Sequence, residues 1–514
     1  MIYHNFIEKK KLLPATARVL FAAVALVTLF SRFLAKAPFL SFYVDDFFYY
    51  LKIAHNLANH KISSFDGIHL TNGYHPLWMA ALTGLSILFH GKAFFLALQC
   101  LTFAAACTFF EGVKKVLSLL GIAEPLLSVL ALIPSLQALL LLRDGMEVTL
   151  ALPLCIWLVA AVLAQDNSPR QGLGIGLLAS LTILSRLDTI FLVVLLLAAC
   201  LYSMPKQRRL RWLGGFCAGI TPVALYFAFN FFYFHSMMPL SGRAKQLKPG
   251  WMPSLVPLSS LISPHTRTKL ILVPASLLLL TLAIVCAVRF YRCAPTKERV
   301  ILSAVLLFPL VQLLTLSFVS DWPLWPWYFY PLVLSSAPSL ALFAVYIPAS
   351  NLIQQWLLMP VALLYEGVLG LFLVAYSILG SPAAGTYKVS QQIAGMMDAN
   401  PGVYAMGDKA GAIGYLSHQP LIQLEGLVMD GPYLKKIQDR EPLRSILKDY
   451  GASYYVTMFA RTPSPEDCLS VREPAQAGPS SPISTGKICS SPIAAVYDQT
   501  YSVYVAIFPA DSVK

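Results

Sequence analysis

Charged side chains are scarce in this sequence: Asp, Glu, Lys and Arg make up 12% of 514 residues, against 57% hydrophobic ones. That balance excludes an ordinary soluble domain, where about a quarter of residues are charged. Cys-x-x-Cys and zinc-ligand spacings are missing, and seven of the nine cysteines fall in or beside apolar runs, where they serve as small inert hydrophobes. A dinucleotide fingerprint and a P-loop are missing too. The stretch "GDKAGAIGYL" (Gly407–Leu416) has neither their glycine spacing nor a Lys-Ser/Thr, and reads as a strand-to-helix turn capped by Asp408. No unit repeats, which argues against the paired halves of many transporters. No small-residue cleavage site stands out near the first apolar run, Leu13–Leu40, so it reads as an uncleaved first span.

What the chain does have is a series of apolar runs at or near the ~20 residues that cross a bilayer as helix. They predict a polytopic α-helical membrane protein of about eleven spans, near 14–40, 92–112, 123–142, 146–164, 171–186, 188–203, 211–235, 269–290, 299–319, 326–347 and 353–379. The run 74–90 is expected to be an interfacial helix with Trp78 near the headgroups; a genuine span, offset by fusion of two later short ones, is the alternative.

The formal charge of +13 is unevenly placed. From Ser381 onward there are 11 basic and 12 acidic residues, while the first 380 carry 27 and 13. The positive excess lies in short loops between apolar runs, "EKKK" (Glu8–Lys11) and "MPKQRRLR" (Met204–Arg211) above all, which predicts a cytoplasmic N-terminus and argues against a nucleic-acid surface. After Gly380 the composition turns polar. Helical patterns near 386–399 and 431–448 alternate with the strand-like "VYAMG", "PLIQLEG", "SYYVTMF" and "YSVYVAIF". Residues 381–514 are therefore expected to form a small extracytoplasmic α/β domain beside a transmembrane domain of residues 1–380. A long turn-rich loop at 464–491 could be stapled by Cys468 and Cys489.

The alternation of spans places several polar motifs on the outer face: Asp45–His75, "RDGME" (Arg143–Glu147), "SRLD" (Ser185–Asp188), "HSMMPLSGRAKQLK" (His235–Lys248) and "SDWPLWPWY" (Ser320–Tyr328). Each has a bland reading. One acid of Asp45–Asp46 can cap a helix, and Glu147 can favour a helix dipole. Arg186 and Asp188 can pair with each other, His75 can be structural, Arg243 and Lys245 can be solvated, and the tryptophans can form an interfacial belt. A second acid beside the bilayer is harder to explain by capping alone. It suits a carboxylate that accepts a proton from a hydroxyl or holds a divalent cation.

The stretch "DDFFYYLKIAHNLANHKISSFDGIHLTNGYHPLW" resembles the first external loop of GT-C superfamily glycosyltransferases, nearest to the bacterial arabinofuranosyltransferase-like branch. The matching features are Asp45–Asp46, Tyr49–Tyr50, Asn56–Ala58 and Gly73–Trp78, followed in order by "DGMEVTL", "SRLD" and "MMPLSGRAK". The likeness extends to about Lys245. It implies a polyprenyl-phosphate-sugar donor, an envelope acceptor and an active site at the outer face of a bacterial inner membrane. By position it implies Asp45 or Asp46 as base, with Asp45 slightly favoured as the first of the pair, and Glu147 as a second acid. Arg186, Arg243 and Lys245 would meet the donor phosphate, and Tyr74, His75 and Asp188 would be nearby. A divalent metal, Mg or Mn, would fall to Asp45 and Asp46. The rival class is a transporter or flippase of lipid-linked sugars.

Overall fold

The computed structural model describes residues 2–124, 126–262, 272–281, 284, 291–292, 295–346, 359–379, 383–460 and 467–514. Among them five helices are long and apolar enough to cross a membrane: Ala15–Phe33, Lys92–Leu119, Lys206–Phe234, Thr296–Val319 and Pro360–Ser377. Five shorter apolar helices accompany them, Pro76–Leu88, Leu126–Leu142, Val148–Leu163, Leu187–Ser203 and Leu272–Thr281. The chain is a multi-pass membrane protein; among the described residues, five of the eleven spans read from hydropathy are matched by helices of full spanning length. Half of the expected span 269–290 and part of 353–379 lie outside the described residues.

Close backbone approach sets part of the bundle. Gly172 and Gly176 on one helix face Gly215 and Gly219 on the helix Lys206–Phe234. A Cβ on Gly176 would come 2.4 Å from the Phe216 carbonyl oxygen, and one on Gly219 would come 2.4 Å from that of Leu173. Two such small-xxx-small pairs allow van der Waals contact along the whole crossing, the usual source of helix association in lipid.

The run 74–90 folds as the helix Pro76–Leu88, 13 residues long. At 1.5 Å per residue it falls well short of a ~30 Å hydrocarbon core. Trp78 is not near headgroups as expected. It is fully buried, and its indole N–H donates to the Gly145 carbonyl at 3.1 Å. A polar tip satisfied inside the protein removes the reason for an interfacial position.

The C-terminal region carries β1 (Tyr404–Met406), β2 (Leu421–Gln423), β3 (Tyr454–Phe459), β4 (Leu469–Glu473), β5 (Ser484–Ile488), β6 (Ala494–Asp498) and β7 (Val503–Pro509). Five make one sheet in the order β2-β1-β3-β7-β6. β1 is parallel to β2 and β3, and β7 is antiparallel to β3 and β6. All four strand-like runs of the sequence are in it. The pattern 431–448 is two helices, Gly431–Gln438 and Leu443–Asp449, because Arg440 turns into the left-handed region (φ 56°) and Pro442 restarts the chain. The turn-rich stretch contains the antiparallel ribbon β4–β5, and Cys468 and Cys489 are joined across it.

This region is fastened to the membrane part by polar contacts. Asp321 accepts the Ser480 N–H at 2.6 Å through Oδ2 and the Gly478 N–H at 2.8 Å through its carbonyl. Lys52 Nζ donates to the Ser417 carbonyl at 3.1 Å.

Candidate active site

The helix Asp45–His60 begins with both acids in its first turn, after Val44 in extended conformation, and neither carboxylate caps that helix. Their environments differ. Asp45 Oδ2 accepts the Gly411 N–H and Oδ1 the Ala412 N–H, both at 2.9 Å, so it seats the start of the helix Ala410–Leu416 from the C-terminal region. The contact is so close that a Cβ on Gly411 would stand 2.2 Å from the Asp45 carbonyl oxygen. The half-buried Asp46 accepts no hydrogen bond from a described protein group and faces a cavity of about 280 Å³. Burial raises its pKa to about 7; Lys245 opposes the rise, and the charges of Asp45, Asp408 and Glu147 add to it.

Around that cavity the fold gathers most of the residues singled out from the sequence: Tyr74, His75, Glu147, Arg186, Asp188 and Lys245. Arg186 is its hub, 2% exposed. It pairs with Glu147 through Nη1 and with Asp188 through Nε at 2.9 Å and Nη2 at 3.2 Å. Asp188 also accepts from Gln312 Nε2 at 2.6 Å and the Tyr330 hydroxyl at 3.0 Å. Glu147 accepts from the Tyr50 hydroxyl at 3.2 Å and lies 3.7 Å from His75 Nε2. Burial lowers the His75 pKa, with Glu147 pulling the other way, and its Nδ1 accepts the Leu187 N–H at 3.3 Å. The pairing of Arg186 with Asp188, the bland reading, is therefore present, and Glu147 is drawn into the same pair.

Lys245 is the less occupied cation. Its Nζ donates to the Tyr328 hydroxyl at 2.8 Å and stands over the Tyr328 and Trp322 rings at 5.1 and 5.9 Å. Burial works against its charge, but Tyr328 and Asp46 outweigh it and keep its pKa above the ordinary lysine value. Arg243 does not line the cavity; it reaches back to Ser236 Oγ at 3.4 Å.

Several wall residues are not evident as site residues in the sequence. Trp322, Trp327 and Tyr328 belong to a run expected to form an interfacial belt, yet Trp322 and Trp327 are each 4% exposed, and all three line the cavity. The clue available in sequence is Asp321 beside them, an acid that a lipid-facing belt would not bury. Tyr50 stands within the first-loop motif, where nothing local assigns it a role.

For the divalent metal expected at Asp45 and Asp46, the surroundings offer little further ligation. Each Asp45 oxygen already accepts one backbone N–H, and among the described residues no three His, Cys, Asp or Glu side chains gather as a cation site.

No protein-family model matches the sequence, and no curated protein matches it. Solved structures do. ArnT from Cupriavidus metallidurans in the apo state aligns with TM-score 0.52 and 14% identity over 96% of this chain and 98% of that one. ArnT bound to undecaprenyl phosphate aligns with TM-score 0.51 and 14% identity, over 86% and 92%. The Archaeoglobus fulgidus oligosaccharyltransferase in the apo form aligns with TM-score 0.50 and 11% identity, over 86% and 69%. The chain has a GT-C-like fold.

Proposed function

We propose that this chain is a membrane glycosyltransferase. It moves a hexose or pentose from a polyprenyl-phosphate donor to a hydroxyl of an envelope glycan, lipid or protein, at the outer face of a bacterial inner membrane. Residues 1–380 would be the catalytic part and 381–514 an extracytoplasmic domain. The observation that carries this reading is the Asp46 carboxylate, unengaged by described protein donors, in a cavity shared with Lys245. The fold is compatible, and a protein of that fold has been solved with undecaprenyl phosphate bound.

In this reading the acceptor oxygen bonds to the anomeric carbon, and the bond from that carbon to the phosphate oxygen breaks with its electron pair going to the phosphate. The acceptor proton passes to Asp46. Lys245 stabilises the negative charge that grows on the leaving phosphate. Arg186, already engaged by two carboxylates, holds Glu147 and Asp188 in place instead of serving as the main phosphate ligand. Apolar side chains from the bundle, Phe191, Leu316 and Val319 among them, line the same cavity and suit a prenyl chain.

Two outcomes are expected. Lys245→Met weakens undecaprenyl phosphate binding at least tenfold, matching the ~1.5–3 kcal/mol of one charge-assisted contact, read by microscale thermophoresis on full-length protein in nanodiscs. Unchanged affinity would remove Lys245 from the donor site. Second, Asp46 must be ionised to act. With its pKa near 7, kcat/KM for transfer should climb roughly tenfold per pH unit below that value and level off above it. A profile flat from about pH 5.5 to 8.5 would exclude Asp46 as the base.

A further inference from the structure

Asp46 borders two cavities. The second, of about 400 Å³, lies between the first-loop residues, the tryptophan run and the C-terminal region, and shares Asp46 and Trp327 with the first. It differs in two ways. Its walls are aromatic more than aliphatic: Trp325 and Trp327 stand parallel, with centroids 6.0 Å apart and planes 13° apart, and Tyr376, Tyr387 and Tyr501 add to them. Its charge is also unbalanced, with carboxylates from Asp45, Asp46, Asp144 and Asp408 against the cations Arg143 and Lys409, a formal excess of two negative charges.

The C-terminal region supplies a formed corner of this cavity. Lys409 holds a left-handed backbone (φ 64°), unusual for a residue with a side chain and costly unless the surroundings impose it. That geometry brings Lys409 Nζ to 3.2 Å from the Tyr501 hydroxyl and 4.6 Å from the ring centre. Tyr501 itself remains 51% exposed. An ammonium donor beside an open aromatic face is chemistry that grips a sugar: the ring covers its apolar C–H face while the donor meets its hydroxyls. The surrounding carboxylates oppose a phosphate, which would bring up to two more negative charges into a confined site. Burial raises the Asp144 pKa to about 6, with Arg143 and Arg32 opposing the rise.

We propose that the second cavity is the acceptor subsite, that Lys409 and Tyr501 position an uncharged or amino-bearing saccharide there with its hydroxyl toward Asp46, and that saccharides phosphorylated near that hydroxyl are refused. The proposal rests on the transferase reading above and narrows it from any hydroxyl to this class.

Saturation-transfer NMR tests it on the full-length protein in nanodiscs, with methyl glycosides of glucose, mannose, galactose and glucosamine and their 6-phosphates as probes. Undecaprenyl phosphate binding is measured in parallel. At least one unphosphorylated glycoside should give a signal that falls fivefold or more in Tyr501→Ala and in Lys409→Met, and is kept in Tyr501→Phe. The 6-phosphates should stay at baseline with the wild type and gain signal in Asp144→Asn. Undecaprenyl phosphate should bind the wild type and all these variants alike, which also shows that they are folded. Equal binding of glycosides and 6-phosphates, no glycoside signal with the wild type, or full signal in Tyr501→Ala would overturn the subsite. If undecaprenyl phosphate failed to bind the wild type while glycosides bound as described, the donor reading would fall and the saccharide site would stand.

Discussion

Asp46→Asn is expected to lower kcat for sugar transfer by about 10²–10⁴-fold, the range that a positioned general base supplies. The substitution keeps the size of the side chain and removes its negative charge and its ability to take a proton. Because no described protein group donates to Asp46, the amide strands no partner, and the melting temperature should stay near that of the wild type. Asp45→Asn gives the opposite pattern. Its carboxylate accepts two backbone N–H groups of the C-terminal region, and an amide can accept only one while pointing N–H at the other. The expected cost is about 1–3 kcal/mol for an unsatisfied contact. It should be read as a lower melting temperature and faster proteolysis within residues 383–460, with a smaller loss of transfer. Full activity in Asp46→Asn alongside lost activity in Asp45→Asn would reverse the two roles.

Arg186→Met should be the most destabilising single change at the site. Arg186 is the shared counter-charge of Glu147 and Asp188, and it lies 4.6 and 5.0 Å from the ring centres of Tyr328 and Tyr330. Removing one partner of a buried ion pair leaves an uncompensated charge and typically costs about 3–5 kcal/mol. Here two carboxylates lose their partner. The measurement is a thermal unfolding midpoint for Arg186→Met, Glu147→Gln and the double variant. Non-additivity is expected, with the double variant more stable than Arg186→Met alone, since the Glu147→Gln amide no longer carries a stranded charge. Equal midpoints for wild type and Arg186→Met would show that Arg186 is not the hub.

The parts of this site that could be read from the sequence are those set by local chemistry. Two acids beside a long apolar run needed a reason, and Glu147, Arg186, Asp188 and Lys245 stood at helix ends that topology could place on one face. The C-terminal strands were legible as strand-like runs between helical patterns, and a non-spanning helix after Tyr74 was expected because a span there would invert the placement of the later positive loops. What was not legible depends on partners far away in the chain. Asp45 and Asp46 are neighbours of identical type, and the backbone of Gly411 and Ala412, more than 360 residues later, sets their environments apart. Arg186 looked available for a phosphate because nothing local shows that Glu147 also reaches it. Trp78 and the 322–328 aromatics matched the composition of a membrane interface. Whether such rings face lipid or protein is decided by the elements packed against them: the Gly145 carbonyl takes the Trp78 N–H, and Asp321, next to the 322–328 aromatics, is held by the Gly478 and Ser480 N–H groups. The ribbon β4–β5 was hidden because turn-forming residues dominate a stretch whose pairing is only five residues long.

The most direct test of the account follows a radiolabelled polyprenyl-phosphate sugar with purified wild-type and Asp46→Asn protein in sealed proteoliposomes, at about pH 8, above the titration of the proposed base, with an envelope acceptor extract outside. Label on the acceptor and on released polyprenyl phosphate are counted separately. The predicted result is transfer of label by the wild type, with matching release of lipid phosphate, and neither from Asp46→Asn although it still binds undecaprenyl phosphate. Equal transfer by both proteins, or movement of intact lipid-linked sugar across the bilayer with no labelled acceptor, would contradict it, the second in favour of a transporter.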